Sequence, residues 1–333
     1  MKVLAGDVGG TNARLAVVEV AAGVTQIVYE RRFPTRGTPG LAPIVREFLA
    51  GAGPTPQRAC FGIACPVVDG DCRTPNLPWT VNARALAADI GIADTYIIND
   101  FDAVGYGLSR LAPADLVTLQ PGVRAPRGTI ALIGAGTGLG EGFLVWDGER
   151  YRVHSSEGGH ASFAARDDIE WGLRATLRSE FGHVSSERIL SGGGLERLYR
   201  YLAASRYAPE QAKVAGEMKH QDAAAVVSEH ALAGDDPLSV KALDLFASVY
   251  GAQAGDLALT VLATGGVYLA GGIAPKIAPK LADGTFMTAF RDKGRLSDLA
   301  ARIPVHIIMN PDVGLLGAAA MAAAGSRGAT TAA

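Results

Sequence analysis

The chain carries no excess of either charge: 31 lysines and arginines stand against 33 acidic residues over 333 positions, a formal net charge of −2. That balance removes the electrostatic case for nucleic acid or a membrane surface as partner. Cysteine is scarce. Cys60, Cys65 and Cys72 show no CxxC spacing and no neighbouring histidine, so neither zinc nor a disulfide framework is expected, and all three read as free thiols in a reducing cytoplasm. The longest uncharged run, Leu257 to Pro275, is broken by Thr264-Gly265-Gly266 and Gly271-Gly272. It reads as a buried helix feeding a core strand and loop, not as a membrane span. No signal peptide is expected, because an apolar strand begins almost at Met1.

What is plentiful is apolar. At 48 % hydrophobic and 19 % charged the chain can bury a large core and is long enough for two domains. Its organising stretch is the first dozen residues. Val3, Leu4 and Ala5 have the character of a buried strand; Gly6, Gly9 and Gly10 then let the backbone bend and a ligand approach closely, and Ala13 to Glu19 resumes as a strand. Exposed amides in such a turn, from Gly6 through Thr11 and Asn12, can cradle phosphate oxygens. Asp7 cannot, since like charges repel; its natural partner is a hard cation bridging to the phosphates, most simply Mg²⁺ held directly or through water. No helix follows the turn and no Gly-Lys-Ser/Thr is present, which separates it from dinucleotide and Walker loops. An ordinary glycine β-turn would look the same in isolation. The pattern recurs, however, at Gly134-Ala-Gly136-Thr137-Gly138 between Ile130 and Trp146, and a third glycine pair, Gly271-Gly272, follows an apolar segment late in the chain.

Alternating strands and helices fill the rest and predict a mostly parallel, right-handed α/β sheet. Strands are expected at Val24 to Phe33, Ala59 to Cys65, Thr95 to Ile98 and Pro304 to Met309. Helices are expected at Gly40 to Ala50, at Ala83 to Ile90 with Asn82 as N-cap and Gly91 as stop, and at Ile169 to Phe181 capped by Asp167 or Asp168. Others follow at Gly194 to Ala204, at Pro237 to about Leu262 with a buried stripe of Val240, Leu243, Phe246 and Tyr250, and at Val313 to Ala324. The tail from Gly325 is expected to fray.

Two constellations can carry chemistry. Asn99-Asp100 ends a strand, at the edge where open α/β sheets bind ligands. Asp100 there suits a base taking the proton of a substrate hydroxyl during phosphoryl transfer; an Asx-turn capping the next segment explains the same pair, and Asp102 is a rival by residue type. The second is Ser155-Ser156-Glu157-Gly158-Gly159-His160. Glu157 can accept hydrogen bonds from two hydroxyls of a sugar and His160 can donate or accept one more, although a lone histidine is usually only a satisfied polar residue.

The glycine turns resemble those of the sugar kinase, Hsp70 and actin superfamily of ATPases, and Glu157-x-Gly159-His160 matches the sugar-contacting motif of bacterial glucokinases, a resemblance that covers nearly the whole chain. It implies an α/β, two-domain actin-like ATPase fold (ribonuclease H-like) with an interdomain cleft. The small domain would be 1–110, with the helix 313–324 returning to it, and the large one 111–312. It assigns Asn99, Asp100, Glu157, His160 and Glu187 to glucose, Glu187 otherwise reading as a salt-bridge or cap carboxylate. The phosphate and nucleotide loops would be Gly6, Asp7, Gly9, Gly10, Thr11 and Asn12; Gly134, Gly136, Thr137 and Gly138; and Gly271 with Gly272. Asn76-Leu-Pro-Trp79 looks like a family stretch near the cleft.

The implied activity is transfer of the ATP γ-phosphoryl group to the 6-hydroxyl of glucose, the first step of glycolysis, with Mg²⁺, in a cytoplasmic homodimer; a broader hexose or N-acetylmannosamine kinase is the alternative. No zinc is expected, because Ala161 to Leu173 lacks the cysteine cluster of the zinc-bearing branch. Gly193 stands where many relatives have proline and is expected to loosen its loop. A sugar-responsive regulator would need a helix-turn-helix ahead of Gly6, and a protein-directed ATPase would not need Glu157-x-Gly-His160.

Overall fold

The computed structural model describes residues 1–21, 24–68, 70–74 and 77–325. Asn76 and the tail beyond Gly325 therefore lie outside the described residues. Two compact units organise the chain, Met1–Ala114 with Asn310–Ala333, and Asp115–Met309.

In the first unit β1 (Lys2–Val8), β2 (Asn12–Ala21) and β3 (Val24–Pro34) form an antiparallel meander. After it come α1 (Leu41–Gly51), β4 (Arg58–Ile63), β5 (Val67–Val68), β6 (Asp71–Arg73), β7 (Thr80–Asn82), α2 (Ala83–Ile90), β8 (Asp94–Asn99) and α3 (Asp100–Gly107). The main sheet has the order β3-β2-β1-β4-β8, and β5-β6-β7 form a small sheet of their own. Side chains alternate across β1: Val3 and Ala5 pack on one face, Leu4 and Val8 on the other. Both faces are thus covered by apolar partners, as a strand at the centre of a sheet requires.

The second unit runs β9 (Leu116–Gln120), β10 (Ile130–Ala135), β11 (Leu139–Trp146), β12 (Tyr151–Ser156), then α4 (Asp168–Phe181), α5 (Gly192–Ala204), α6 (Ala212–Glu217), α7 (Ala223–Ala233) and α8 (Pro237–Thr260). It closes with β13 (Gly266–Ala270), α9 (Ala278–Leu281), α10 (Thr285–Arg291), α11 (Ser297–Arg302) and β14 (Val305–Ile308). Its sheet, β12-β11-β10-β13-β14-β9, repeats the plan of the first, an antiparallel meander continued by parallel strands, and adds β9 antiparallel at its far edge. The final helix α12 (Val313–Ala324) belongs to the first unit and packs on α3 and β1.

Several expectations need correction. The sheets are mixed, not mostly parallel, because each opens with strands joined by short hairpin turns, and a hairpin can only pair antiparallel. Helix α8 buries a wider face than the stripe predicts: Leu243, Phe246 and Tyr250 are buried as expected, joined by Leu238, Ala242, Leu245 and Val249, while Val240 is only half-buried. It runs through the core of the second unit. Gly193 lies in the first turn of α5, capped by Ser191 Oγ accepting from the Gly194 N–H, so it does not loosen a loop.

The cysteines are not all free. Cys65 and Cys72 form a disulfide, with Cα atoms 5.9 Å apart, and only Cys60 remains a thiol. The reason is local: Val67 pairs with Cys72 across the β5–β6 hairpin, which brings Cys65, two residues earlier, within reach. A seven-residue separation carries no such message until the hairpin is known.

The close approach of α12 to α3 depends on Gly317, where an added Cβ would strike the carbonyl oxygen of Ala103. Gly314 on the same helix faces only Val104 Cγ2, 3.8 Å from such a Cβ. Gly317→Ala should therefore lower the unfolding free energy by about 1–3 kcal/mol through overpacking, and Gly314→Ala should raise it by roughly 0.5–1 kcal/mol through helix propensity. Urea titration of the two variants checks both signs.

Candidate active site

In the first unit the glycine turn joins β1 to β2. The Gly9 N–H donates to the Asn12 carbonyl at 2.9 Å, and the Thr35 N–H donates to the Thr11 carbonyl at 2.9 Å. These bonds fix the turn, whereas the amides of Gly10 and Thr11 have no acceptor among the described residues. Gly6 is needed for packing, since a Cβ there would run into the Phe61 ring. Asp7 pairs in register with Arg14 on β2. The guanidinium of Arg14 is in turn held by Glu30 Oε1 at 3.0 Å and by Asp312 Oδ1 at 2.6 Å. Burial raises the Asp7 carboxyl above the ordinary carboxylate range, and the charges of Arg14 and Arg32 pull it back only in part.

At the end of β8 the two readings of Asn99-Asp100 hold together. Asn99 caps α3, its Oδ1 accepting from the Phe101 N–H at 2.8 Å and its Nδ2 donating to the Cys65 carbonyl at 2.9 Å. Asp100 is the first residue of α3, with Oδ1 accepting the Phe101 N–H at 2.9 Å. The cap fixes the strand-to-helix corner, and the corner sets the acid at the carboxyl end of a parallel strand.

The second unit builds a matching turn between β10 and β11. The Gly136 N–H donates to the Gly138 carbonyl at 2.8 Å, and the Gly192 N–H to the Gly136 carbonyl at 2.9 Å; the amides of Thr137 and Gly138 find no acceptor among the described residues. Gly134 lies within β10, opposite Gly140 of β11. Gly271, at φ 78°, lets its loop lie against the Ala135 carbonyl, which accepts from the Ile273 N–H at 3.2 Å. The Gly271-Gly272 loop thus abuts the strand that leads into this turn.

Glu157, His160 and Glu187 meet beside the same turn. His160 Nε2 lies 4.0 Å from Glu157 Oε2 and 3.9 Å from Glu187 Oε2. Glu187 Oε2 also accepts the Leu139 N–H at 3.0 Å, and a Cβ on Gly138 would come within 2.5 Å of it. Glycine at 138 is what admits the carboxylate. Glu157 and His160 are largely exposed, at 70 % and 61 % of their side-chain area. Residues 161–163 and 184–186 are stitched together by the Ser186 N–H to the Ala161 carbonyl at 3.0 Å and the Phe163 N–H to the Val184 carbonyl at 2.9 Å. That pairing brings Glu187 to His160 across a gap of 27 positions.

The structure thus assembles Glu157, His160 and Glu187 with the Gly136–Gly138 turn in one unit, and Asp7, the Gly9–Asn12 turn, Asn99 and Asp100 in the other. Sequence reading missed Arg14, which only the β1–β2 register shows to be the cross-strand neighbour of Asp7, and Phe61, which dictates glycine at position 6. Among the described residues no group of three or more His, Cys, Asp or Glu is placed to hold a metal by itself, and no helix is long and apolar enough to cross a membrane.

The glucokinase family model matches residues 4–325. A glucokinase of Nostoc sp. is 44 % identical over 337 aligned positions, covering 96 % of this chain and 98 % of the relative. One from Yersinia enterocolitica is 38 % identical, covering 95 % of each. The crystal structure of a glucokinase from an Antarctic psychrotroph superposes with a TM-score of 0.84 at 33 % identity, over 97 % of this chain and 98 % of the other. A ROK family glucokinase from Streptomyces griseus, solved in complex with glucose and AMPPNP, shares the fold with a TM-score of 0.66 at 22 % identity, over 97 % and 99 %.

The raised Asp7 carboxyl has a consequence for stability. Its folded form favours the proton more than its unfolded form does, so the ionised group costs stability at neutral pH, and that cost vanishes below the unfolded pKa, where both states carry the proton. Asp7→Asn should raise the melting temperature at pH 7 and leave it unchanged at a pH below the ordinary carboxylate range. Scanning calorimetry of both proteins at the two pH values decides it; a lower melting temperature at pH 7 contradicts the burial argument.

Proposed function

The chain belongs to the glucokinase family and has the actin-like ATPase fold of its structural relatives, and on that premise we propose that it transfers the γ-phosphoryl group of ATP to the 6-hydroxyl of glucose. The observation that carries the substrate side is the placing of both Glu157 and Glu187 at about 4 Å from His160, at 4.0 and 3.9 Å. Two carboxylates and an imidazole offer acceptors to the hydroxyls of a neutral sugar and repel an anionic one. Hydroxyls left unmet by such a site are what reject sugars with misplaced groups.

Asn99 and Asp100 complete the sugar contacts. Asp100 takes the proton of the primary hydroxyl as its oxygen attacks the γ-phosphorus in line, with the leaving ADP carrying away the charge. The open amides of Gly10 and Thr11, and of Thr137 and Gly138, hold phosphate oxygens, and Gly271-Gly272 borders the nucleotide. Asp7 suits a magnesium ion: Mg²⁺ is ordinarily held by one or two carboxylates, waters and substrate phosphates, not by an all-protein cage. When bound, the ion offsets charge on the transferring group. Arg14, fixed between Glu30 and Asp312, keeps Asp7 available to it.

A cytoplasmic homodimer feeding glycolysis belongs to the same proposal and rests on family membership. A broader hexose or N-acetylmannosamine specificity is the alternative, since the acceptor cluster names hydroxyls without naming one sugar.

Asp100→Ala should lower kcat by about 10²–10⁴-fold, the usual contribution of a positioned base, while calorimetric glucose affinity stays within a few-fold of the parent. Full turnover in that variant removes Asp100 from the mechanism.

A further inference from the structure

A buried carboxylate lies beneath the sugar-contacting cluster and takes no part in the reaction described above. Glu141, in the middle of β11, is 4 % exposed, and burial raises its carboxyl above the ordinary range. Its Oε1 accepts from Gln253 Nε2 at 2.8 Å. Gln253, on α8, accepts in turn from Ser186 Oγ at 2.9 Å through its Oε1. Only one orientation of the amide serves both neighbours, because a carboxylate only accepts and the serine hydroxyl donates. The chain of bonds therefore has a single direction, from Ser186 through Gln253 to Glu141.

Its two ends reach the two segments that carry the cluster. Ser186 is 1 % exposed, immediately precedes Glu187, and holds the 161–163 segment through its own N–H. Glu141 pairs in register with Ser156. Its Oε2 also fills the space that a side chain at Gly158 would need, so it underlies the residue between Glu157 and Gly159. An apolar trio of the same volume would pack there without the desolvation cost of a buried charge. What such a trio would lose is the directional tie between the two segments.

We infer that Gln253 and Glu141 are positioning residues for glucose binding: through Ser186 they lock the Glu157–His160 segment and the Glu187 turn onto α8 as one unit. The inference rests on the assignment of Glu157, His160 and Glu187 to the sugar. It makes glucose affinity, and not nucleotide affinity or the chemical step, the quantity that the network controls.

Charge exchange tests this. Gln253→Glu sets two carboxylates against each other across the 2.8 Å contact, and should raise KM for glucose at least five-fold with KM for ATP unchanged within two-fold. The double exchange Glu141→Gln with Gln253→Glu rebuilds every bond with the roles reversed and should bring KM for glucose back to within two-fold of the parent. A glucose KM raised less than five-fold in the single variant, a parallel rise in KM for ATP, or a double variant no better than the single overturns the proposal. Gln253→Leu, which removes the bonds without adding charge, replaces the single variant should that one fail to fold. A parent chain that does not phosphorylate glucose would sink the functional reading instead. Hydrogen exchange over residues 155–162 and 184–189, faster in Gln253→Glu and restored in the double exchange, then decides the positioning claim alone.

Discussion

The proposed phosphoryl transfer depends on backbone amides left unpaired at the tips of two hairpins. A strand at the centre of a sheet satisfies its own N–H groups through its neighbours, so the only donors it can offer a ligand are those of the turn where it ends. In β1–β2 one amide closes the turn, Gly9 onto Asn12, and those of Gly10 and Thr11 stay open; in β10–β11 Gly136 closes it and those of Thr137 and Gly138 stay open. At Gly138 glycine is required, because a side chain would fill the space that Glu187 occupies.

The sheets explain why the same device appears twice. Each main sheet joins an antiparallel meander to parallel strands, so each places a glycine turn at one end of its innermost hairpin. The units then diverge in what they add. The first supplies acids, Asp7 beside its turn and Asp100 at the head of α3; the second supplies the acceptors Glu157, His160 and Glu187 around Gly138. On the proposed assignment one unit handles charge and the proton, and the other reads hydroxyls. Phosphoryl transfer asks for that division, since the protein's part in it is to position reactants and balance charge more than to form bonds.

Much of this was legible in the sequence because it is local. The glycine turns, the Asn82 cap with Gly91 behind it, and Glu157-x-Gly-His160 are written in neighbouring residues. Arg14 was not, because its role follows from cross-strand register with Asp7. The Cys65–Cys72 bond depends on a hairpin only two residues per strand long at β5, too short to show a period. The short strand β9 escaped notice for a similar reason: it joins the sheet edge beside β14 through pairing distant in sequence. The breadth of the buried face of α8 hid behind a stripe that fits a surface helix as well. Glu141 and Gln253 stand 112 positions apart, and neither carries a motif; only the packing of α8 beneath β11 brings them together.

The central claim is that open amides and an acceptor-rich cluster serve one reaction, phosphoryl transfer from ATP to glucose. The most direct test is product analysis with Mg·ATP and, in parallel, glucose, fructose, mannose, N-acetylmannosamine and no sugar. The account predicts glucose 6-phosphate as the dominant product and negligible ADP release without sugar. ATP bound but no phosphorylated sugar from any of the four would contradict it, leaving the glycine turns correctly read and the acceptor cluster assigned to the wrong ligand.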